Sequence, residues 1–213
     1  MDILRLLLEG LPTTLRITAG ALLIGLVVAI PLTALRRAPF TIVSSVTALL
    51  IALVRSVPPI VWIFVVYYTV GSLEQFRLDA EVAATIGLGL IASTYLAEIY
   101  RGAIEAIPEG QFDAIKALAL PTPTAYLKVL VPQSLLLVVA PATSYSISLL
   151  KDSALASVIG AQDITFLAFE HSQMAMDGLE TFVIAGLMYL ALSLLIAWMG
   201  SWIQWLSRVV ISR

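Results

Sequence analysis

Polar groups stranded in apolar surroundings are the first residues in this sequence able to do chemistry. Arg55, Ser56, Glu98, Lys151, Asp152 and Ser153 all lie inside or at the ends of long apolar runs. Such charges are costly, so each is a candidate for function. Arg55 lies midway along its run, beside Val57-Pro58-Pro59. A helix broken there would free backbone carbonyls to face a cavity. Arg55 could contact a charged solute, gate a path, or sit in a structural ion pair. Lys151-Asp152-Ser153 could bind a carboxylate or an amine, or be satisfied by mutual pairing and solvent. Glu98 and Arg101 are three apart on one helix face, so an internal pair stands beside a role on a polar path. Covalent catalysis has little support. The chain has one histidine, no cysteine and no His-Glu-x-x-His. The histidine, His171, lies in an acidic stretch and reads as solvated. Tyr67, Tyr68 and Tyr95 read as interfacial or packing residues.

A second candidate is mechanical. The connection from Glu105 to Val131 is long, ordered-looking and amphipathic. Pro108 can start a helix, because its missing N–H is not needed in a first turn. That helix is expected to run to about Leu118. Thr122-Pro123 is a second start signal, so the connection reads as two short helices with a turn between. Phe112 and Ile115 line one face and Asp113 and Lys116 another. Connections this long are commonly functional. It could dock into a groove on a soluble partner or lie on a lipid surface.

The elements that must position these groups follow from composition. Of 213 residues, 60% are apolar and 12% charged, and the mean hydropathy is +1.00. A soluble domain would need far more polar surface. Crossing ~30 Å of hydrocarbon takes about 20 apolar residues as a helix, and the period-2 alternation of barrel strands is missing. Spans are expected near 12–35, 40–70, 80–104, 132–150 and 179–206, making one all-α transmembrane domain over 1–213. A kink or break is expected at Pro58-Pro59 in the second. Residues 154–169 read as a re-entrant or surface segment, and Met1–Gly10 as a short amphipathic helix with Asp2, Arg5 and Glu9 on one face. The first run is too long for a signal peptide and its basic pair, Arg36-Arg37, follows it, so it reads as a retained helix.

Lys and Arg placement gives the orientation. With the N-terminus outside, the inner side holds Arg36, Arg37, Arg101, Lys116, Lys128, Arg208 and Arg213, against Arg77 and Lys151 outside. Glu74, Asp79, Glu81, Asp152, Asp163, Glu170, Asp177 and Glu180 fall outside. N-out, C-in is therefore expected. Trp198, Trp202 and Trp205 sit at helical spacing near the inner end of the last span, as an interfacial anchor or a packing stripe would. Ala21, Gly25 and Ala29 repeat every four residues, a spacing that lets helices approach closely. No basic stripe suits nucleic acid.

Specific motifs add a family resemblance. Ala97-Glu98-Ile99-Tyr100-Arg101-Gly102-Ala103-Ile104, Ile107-Pro108-Glu109-Gly110-Gln111, Ala117-Leu118 and Val131-Pro132-Gln133 occur in that order. Together they resemble the permease subunits of bacterial ABC importers, above all the polar amino acid branch (histidine, glutamine, arginine type). That family's loop motif runs Glu-Ala-Ala, three residues, Gly, nine residues, Ile-x-Leu-Pro. Asp113-Ala114-Ile115, Ala119 and Val129-Leu130-Val131-Pro132 occupy those places. Leu149 to Gly160 resembles the segment after the family's fourth span, and Arg55-Ser56-Val57-Pro58 resembles Arg-Gly-Thr-Pro in its second.

The resemblance implies a type I importer permease in a bacterial plasma membrane. It implies a dimer with an identical or related permease, two ATP-binding subunits, and an external binding protein that delivers a polar amino acid. Relatives also carry opines, ectoine-like solutes and cystine. No Gly-x-x-x-x-Gly-Lys-Ser/Thr is present, so ATP and Mg belong to the partner and this chain holds no cofactor. The loop residues expected to couple to the ATPase are Glu109, Gln111, Asp113, Ala114, Ala117, Leu118, Ala119 and Leu120. Asp113 keeps the motif's charge with a shorter reach, and Ile115 replaces a small Ala. Ala119 replaces Gly, so a left-handed turn there would be strained and is expected to shift toward Leu120-Pro121. A transporter or channel that needs no ATPase would also explain the embedded charges, but not the docking-like connection.

Overall fold

A computed structural model describes residues 3–71 and 78–211. Asp2, Glu74, Arg77 and Arg213 of the charge pattern lie outside the described residues, as does the side chain of Arg208. The chain runs α1 (Ile3–Arg36), α2 (Thr41–Ser56), α3 (Pro59–Gly71), α4 (Ala80–Glu105), α5 (Glu109–Ala117), α6 (Thr122–Ala125), α7 (Val131–Asp152), α8 (Ile164–Ala175) and α9 (Gly178–Ile211). A π-helical turn (Tyr126–Leu130) joins α6 to α7, and a 3-10 stretch (Ser153–Ile159) follows α7. Four helical runs are long and apolar enough to cross a membrane, or five if α2 and α3 count as one broken span.

The bundle is built on α1 against α4, its most extensive pairing. Ala21, Gly25 and Ala29 are all buried on α1. A Cβ on Gly25 would stand 2.6 Å from the Ala92 methyl, so only glycine permits this approach. Ile17, Ala84, Leu88, Ile91 and Ala92 complete the main core. In lipid there is no hydrophobic drive between helices, so close van der Waals packing of small residues carries the association. Leu23, Val27 and Ile30 on α1 and Leu187, Leu190 and Leu194 on α9 point outward, as lipid-facing side chains would. Arg16 on α1 pairs with Glu81 on α4 at 2.6 Å, a contact the sequence reading did not anticipate.

Several expectations change. There is no separate amphipathic N-terminal helix, because α1 is continuous from Ile3 through Pro12. Pro12 lies on the exposed side of α1, and so does Leu8, whose carbonyl is the one that loses its donor. The missing N–H therefore leaves nothing buried and unpaired. Of the kink or break expected at Pro58-Pro59, the structure has the break: α2 and α3 meet at 95°. Trp62 Nε1 donates to the Val54 carbonyl at 3.0 Å, which satisfies an acceptor released by the break. The second short helix of the long connection does not stand alone. It runs through the π turn into α7, immediately before Pro132, which has no N–H to give the preceding turn. Residues 154–169 split at Gly160, whose φ of 89° ends the 3-10 stretch before α8 begins.

Candidate functional site

Helix α5 stands apart from the bundle, with no buried residue. Glu109, Asp113, Ala114, Ala117, Leu118 and Ala119 are exposed, and Gln111 and Leu120 are half-buried. Leu118 is 70% exposed, an apolar side chain with nothing over it. Phe112 and Ile115 turn partly inward, and Gln133 Nε2 on α7 donates to Gln111 Oε1 at 3.1 Å, which ties α5 to the bundle. Asp113 and Lys116 form a loose 3.5 Å pair in the open. Beside them is an open groove of about 510 Å³ lined by Arg37, Glu105, Glu109 and Phe112 among others. Three residues separate α4 from α5, and Ile107 among them is buried, so the two helices are joined stiffly.

The end of α5 is a correction to the sequence expectation. The left-handed residue is Ala119 itself, at φ 48°, and the turn does not shift to Leu120-Pro121. Leu120 N donates to the Ile115 carbonyl at 3.2 Å and Ala119 N to the Lys116 carbonyl at 3.0 Å. These are the two bonds of a Schellman motif, with Ala119 where glycine is usual. The bonds and the apolar Ile115–Leu120 spacing hold the turn in place against the strain of its Cβ. Ala119→Gly is therefore expected to stabilise this turn by about 0.5–1 kcal/mol. Slower proteolysis at residues 118–121 in purified protein would show it; equal or faster cleavage would contradict it.

A second constellation lies where α2, α4 and α7 meet. The Arg55 guanidinium carbon sits 4.3 Å from the centre of the Tyr95 ring. Tyr95 stacks on Tyr145 at 5.0 Å and 19°. Arg55, Tyr95, Tyr145, Ser148 and Asp152 line one pocket of about 180 Å³. The pocket thus presents a cation, a carboxylate, a hydroxyl and two aromatic rings in a small volume. Arg55 and Asp152 from the sequence candidates meet here; the others do not. The Ser56 hydroxyl bonds back to Leu53 O at 2.9 Å. Lys151 points away and is exposed. Ser153 is fully buried with its hydroxyl on Leu150 O at 2.7 Å, a structural contact. Tyr95, Tyr145 and Ser148 were not among the sequence candidates for this site.

Glu98 belongs to a third group, at the α5 end of α4. Its Oε2 pairs with Arg101 Nη2 at 2.8 Å, and its Oε1 faces Arg36 Nε at 3.6 Å. Arg101 also pairs with Glu105. Arg36 Nη1 donates to Ser44 Oγ at 2.8 Å, and that hydroxyl donates to the Arg36 carbonyl at 2.6 Å. Among the described residues no cluster of His, Asp or Glu is arranged to hold a metal. His171 lies 3.7 Å from Asp177 and is only partly exposed, so it is not simply solvated.

Comparison with known proteins places this geometry among transport proteins. The family described as "Binding-protein-dependent transport system inner membrane component" matches residues 21–205. The arginine transport system permease protein ArtQ of Bacillus subtilis (strain 168) is 30% identical over 198 residues, covering 93% of this chain and 90% of that protein. The nopaline transport system permease protein NocM of Agrobacterium fabrum is 28% identical, covering 93% and 86%. Among solved structures, the crystal structure of an amino acid ABC transporter with histidines superposes with a TM-score of 0.85 at 26% identity, over 94% of this chain and 93% of that one. An inward-facing MetNI methionine ABC transporter shares the fold, with a TM-score of 0.81 at 22% identity over 95% and 96%.

Proposed function

This chain belongs to the family of binding-protein-dependent transport system inner membrane components, and from that premise we propose that it is the membrane subunit of an ATP-driven importer for a polar amino acid or a related zwitterion. The observation that carries the reading is α5: a short helix held off the bundle, closed at its C-terminal end by a capping turn, with no buried residue and an exposed Leu118. A helix so placed is a docking piece. In this reading α5 faces the cytoplasm of a bacterial inner membrane, the N-terminus is outside, and a dimeric ATP-binding subunit grips the face formed by Glu109, Asp113, Ala114, Ala117 and Leu118. ATP and Mg sit on that subunit. A second permease, identical or related, completes the pathway, and an external binding protein supplies the solute. ATP-driven closure displaces α5 as a rigid body and switches the bundle between inward- and outward-facing states.

The Arg55 pocket supports the substrate class. A guanidinium suits a carboxylate and the Asp152 carboxylate suits an amine, the two charged ends of an amino acid. NocM and ArtQ, as named, carry an opine and arginine, both zwitterions of this kind. Purification in detergent tests the docking role. An ATP-hydrolysing subunit is expected to accompany the chain and to be lost when residues 109–116 are deleted. Retention after that deletion would sink the docking role, and absence from the intact chain would sink the function. Asp113→Lys reverses an exposed charge at the grip and is expected to lower solute moved per ATP by about tenfold, a coupling loss of ordinary size. An unchanged ratio in reconstituted vesicles would count against it.

A further inference from the structure

Arg55 sits at one end of a helix whose other end is tied to the machinery around α5. Helix α2 packs weakly: Thr47 and Ile51 are its buried residues. Its outer face, with Ile42, Val46, Leu49 and Leu53, is exposed along its length. Its polar contacts to the rest of the bundle lie at its two ends. At the start, Ser44 exchanges hydrogen bonds with the side chain and the carbonyl of Arg36. At the finish, Trp62 holds the Val54 carbonyl and Tyr95 lies under Arg55. A helix of 16 residues, seated on the core through Thr47 and Ile51 and tied by polar contacts at both ends, is a rod of about 24 Å.

The start of that rod is wired to the docking helix through charges. Glu105 ends α4, three residues before α5. Arg101 bridges Glu105 and Glu98, which braces the last turns of α4. Glu98 then faces Arg36, and Arg36 holds Ser44. One joint in this series is slack. Arg36 Nε is buried without a hydrogen-bond partner, and the Glu98 oxygen is 3.6 Å away. A buried donor left short of its acceptor favours any movement that closes the gap. We propose that Glu98 and Arg36 are positioning residues for transport, a joint that passes displacement of α5 through Ser44 to α2 and so resets Arg55 at the pocket. This rests on the importer reading above. It assigns Glu98 to transmission rather than to solute contact. The series is a physical chain of contacts, and its coupling must be measured rather than inferred from adjacency.

The chain has no cysteine, which makes a single introduced thiol a clean reporter. Ser56→Cys places one on the exposed residue beside Arg55. In the assembled transporter in vesicles, its rate of maleimide labelling is compared without nucleotide and after trapping with ATP and vanadate. The rate is expected to differ between the two states in the otherwise wild-type chain. Glu98→Gln and Ser44→Ala are each expected to abolish that difference and to lower solute moved per ATP by about tenfold, while Ser44→Thr, which keeps the hydroxyl, restores both. Arg36→Lys, which keeps the charge but loses the fork that serves Glu98 and Ser44 together, is expected to fall between. The proposal is overturned if Glu98→Gln or Ser44→Ala keeps the wild-type labelling difference, or if Ser44→Thr does no better than Ser44→Ala. If the unmodified background recovers no ATP-hydrolysing subunit, the importer reading fails instead. A variant that merely misfolds would lose the subunit on purification, which separates that outcome from a broken joint.

Discussion

Arg55→Ala is expected to lower the initial rate of solute uptake in reconstituted vesicles on the order of 100-fold. Among the described residues the guanidinium is the only cation lining its pocket, and it lies over the face of Tyr95. A carboxylate held there accepts two charge-assisted hydrogen bonds, and their loss costs about 2–3 kcal/mol, which is the stated factor. Arg55 is itself exposed, so its removal opens no void in the core. The variant should therefore assemble and melt like the parent, and the defect should lie in handling solute. Arg55→Lys keeps the charge without the planar fork and is expected to retain part of the activity. Uptake by Arg55→Ala within threefold of the parent would remove the pocket from the substrate path.

That pocket was half legible in the sequence, and the missing half has a physical cause. Arg55 announced itself as a full charge inside an apolar run beside two prolines. Asp152 was found the same way. Their neighbours could not be told from packing residues, because an aromatic or a serine in a membrane helix is cheap wherever it points. Tyr95 and Tyr145 become site residues only through their stacking across α4 and α7, a contact between residues fifty apart. Ser153 and Lys151 do not line the pocket, for a geometric reason. They adjoin Asp152 in sequence, yet successive helical residues point about 100° apart, so one turns into the core and the other away.

The fold shows the same division. The small-residue repeat on α1 does lie on the surface that meets α4, where Ala and Gly at that spacing let the helices approach closely. The two proline sites came out differently. Pro12 was taken as a boundary and lies within a continuous helix; Pro58-Pro59 was expected to kink or break its run and breaks it at a right angle. What separates them is whether the carbonyls each releases can be satisfied nearby, and that depends on tertiary partners such as Trp62. Ala119 shows a local rule overridden. Glycine is preferred there by sterics, but two capping hydrogen bonds hold alanine in the left-handed region.

Among the described acidic residues, Asp163 is the one whose burial the charge pattern hid: placed with the acids of the outer side, it is fully enclosed. It caps α8, with Oδ1 accepting from Phe166 N at 2.8 Å and Oδ2 accepting from the Tyr189 hydroxyl at 3.2 Å. The neighbouring Ile164 N donates to Thr14 Oγ1 at 3.2 Å, and Gly10 brings α1 so close that a Cβ there would stand 2.5 Å from the Asp163 carbonyl carbon. The carboxyl thus ties α8 to α9, and the backbone beside it meets α1, so the three helices are clasped at this point. Among the described residues no cation acts on it. Desolvation pushes its pKa up to about 6 from 3.8, against the smaller opposing effect of its hydrogen bonds. A raised pKa means the folded state holds the proton more tightly than the unfolded one. The stability this proton lends is complete below about 3.8 and is lost as pH rises through about 6. Above that the clasp holds an unbalanced charge, at a cost on the order of 3 kcal/mol. Asp163→Asn is neutral at every pH; its oxygen can still cap Phe166 and its amide can donate to Tyr189. It is therefore expected to be more stable than the parent at pH 7, and the gap is expected to close as pH falls toward 4. Melting both proteins in the same detergent across that range isolates this group from the other carboxylates. A gap that is independent of pH, or that widens on acidification, would show that the carboxyl is not the titrating element of the clasp.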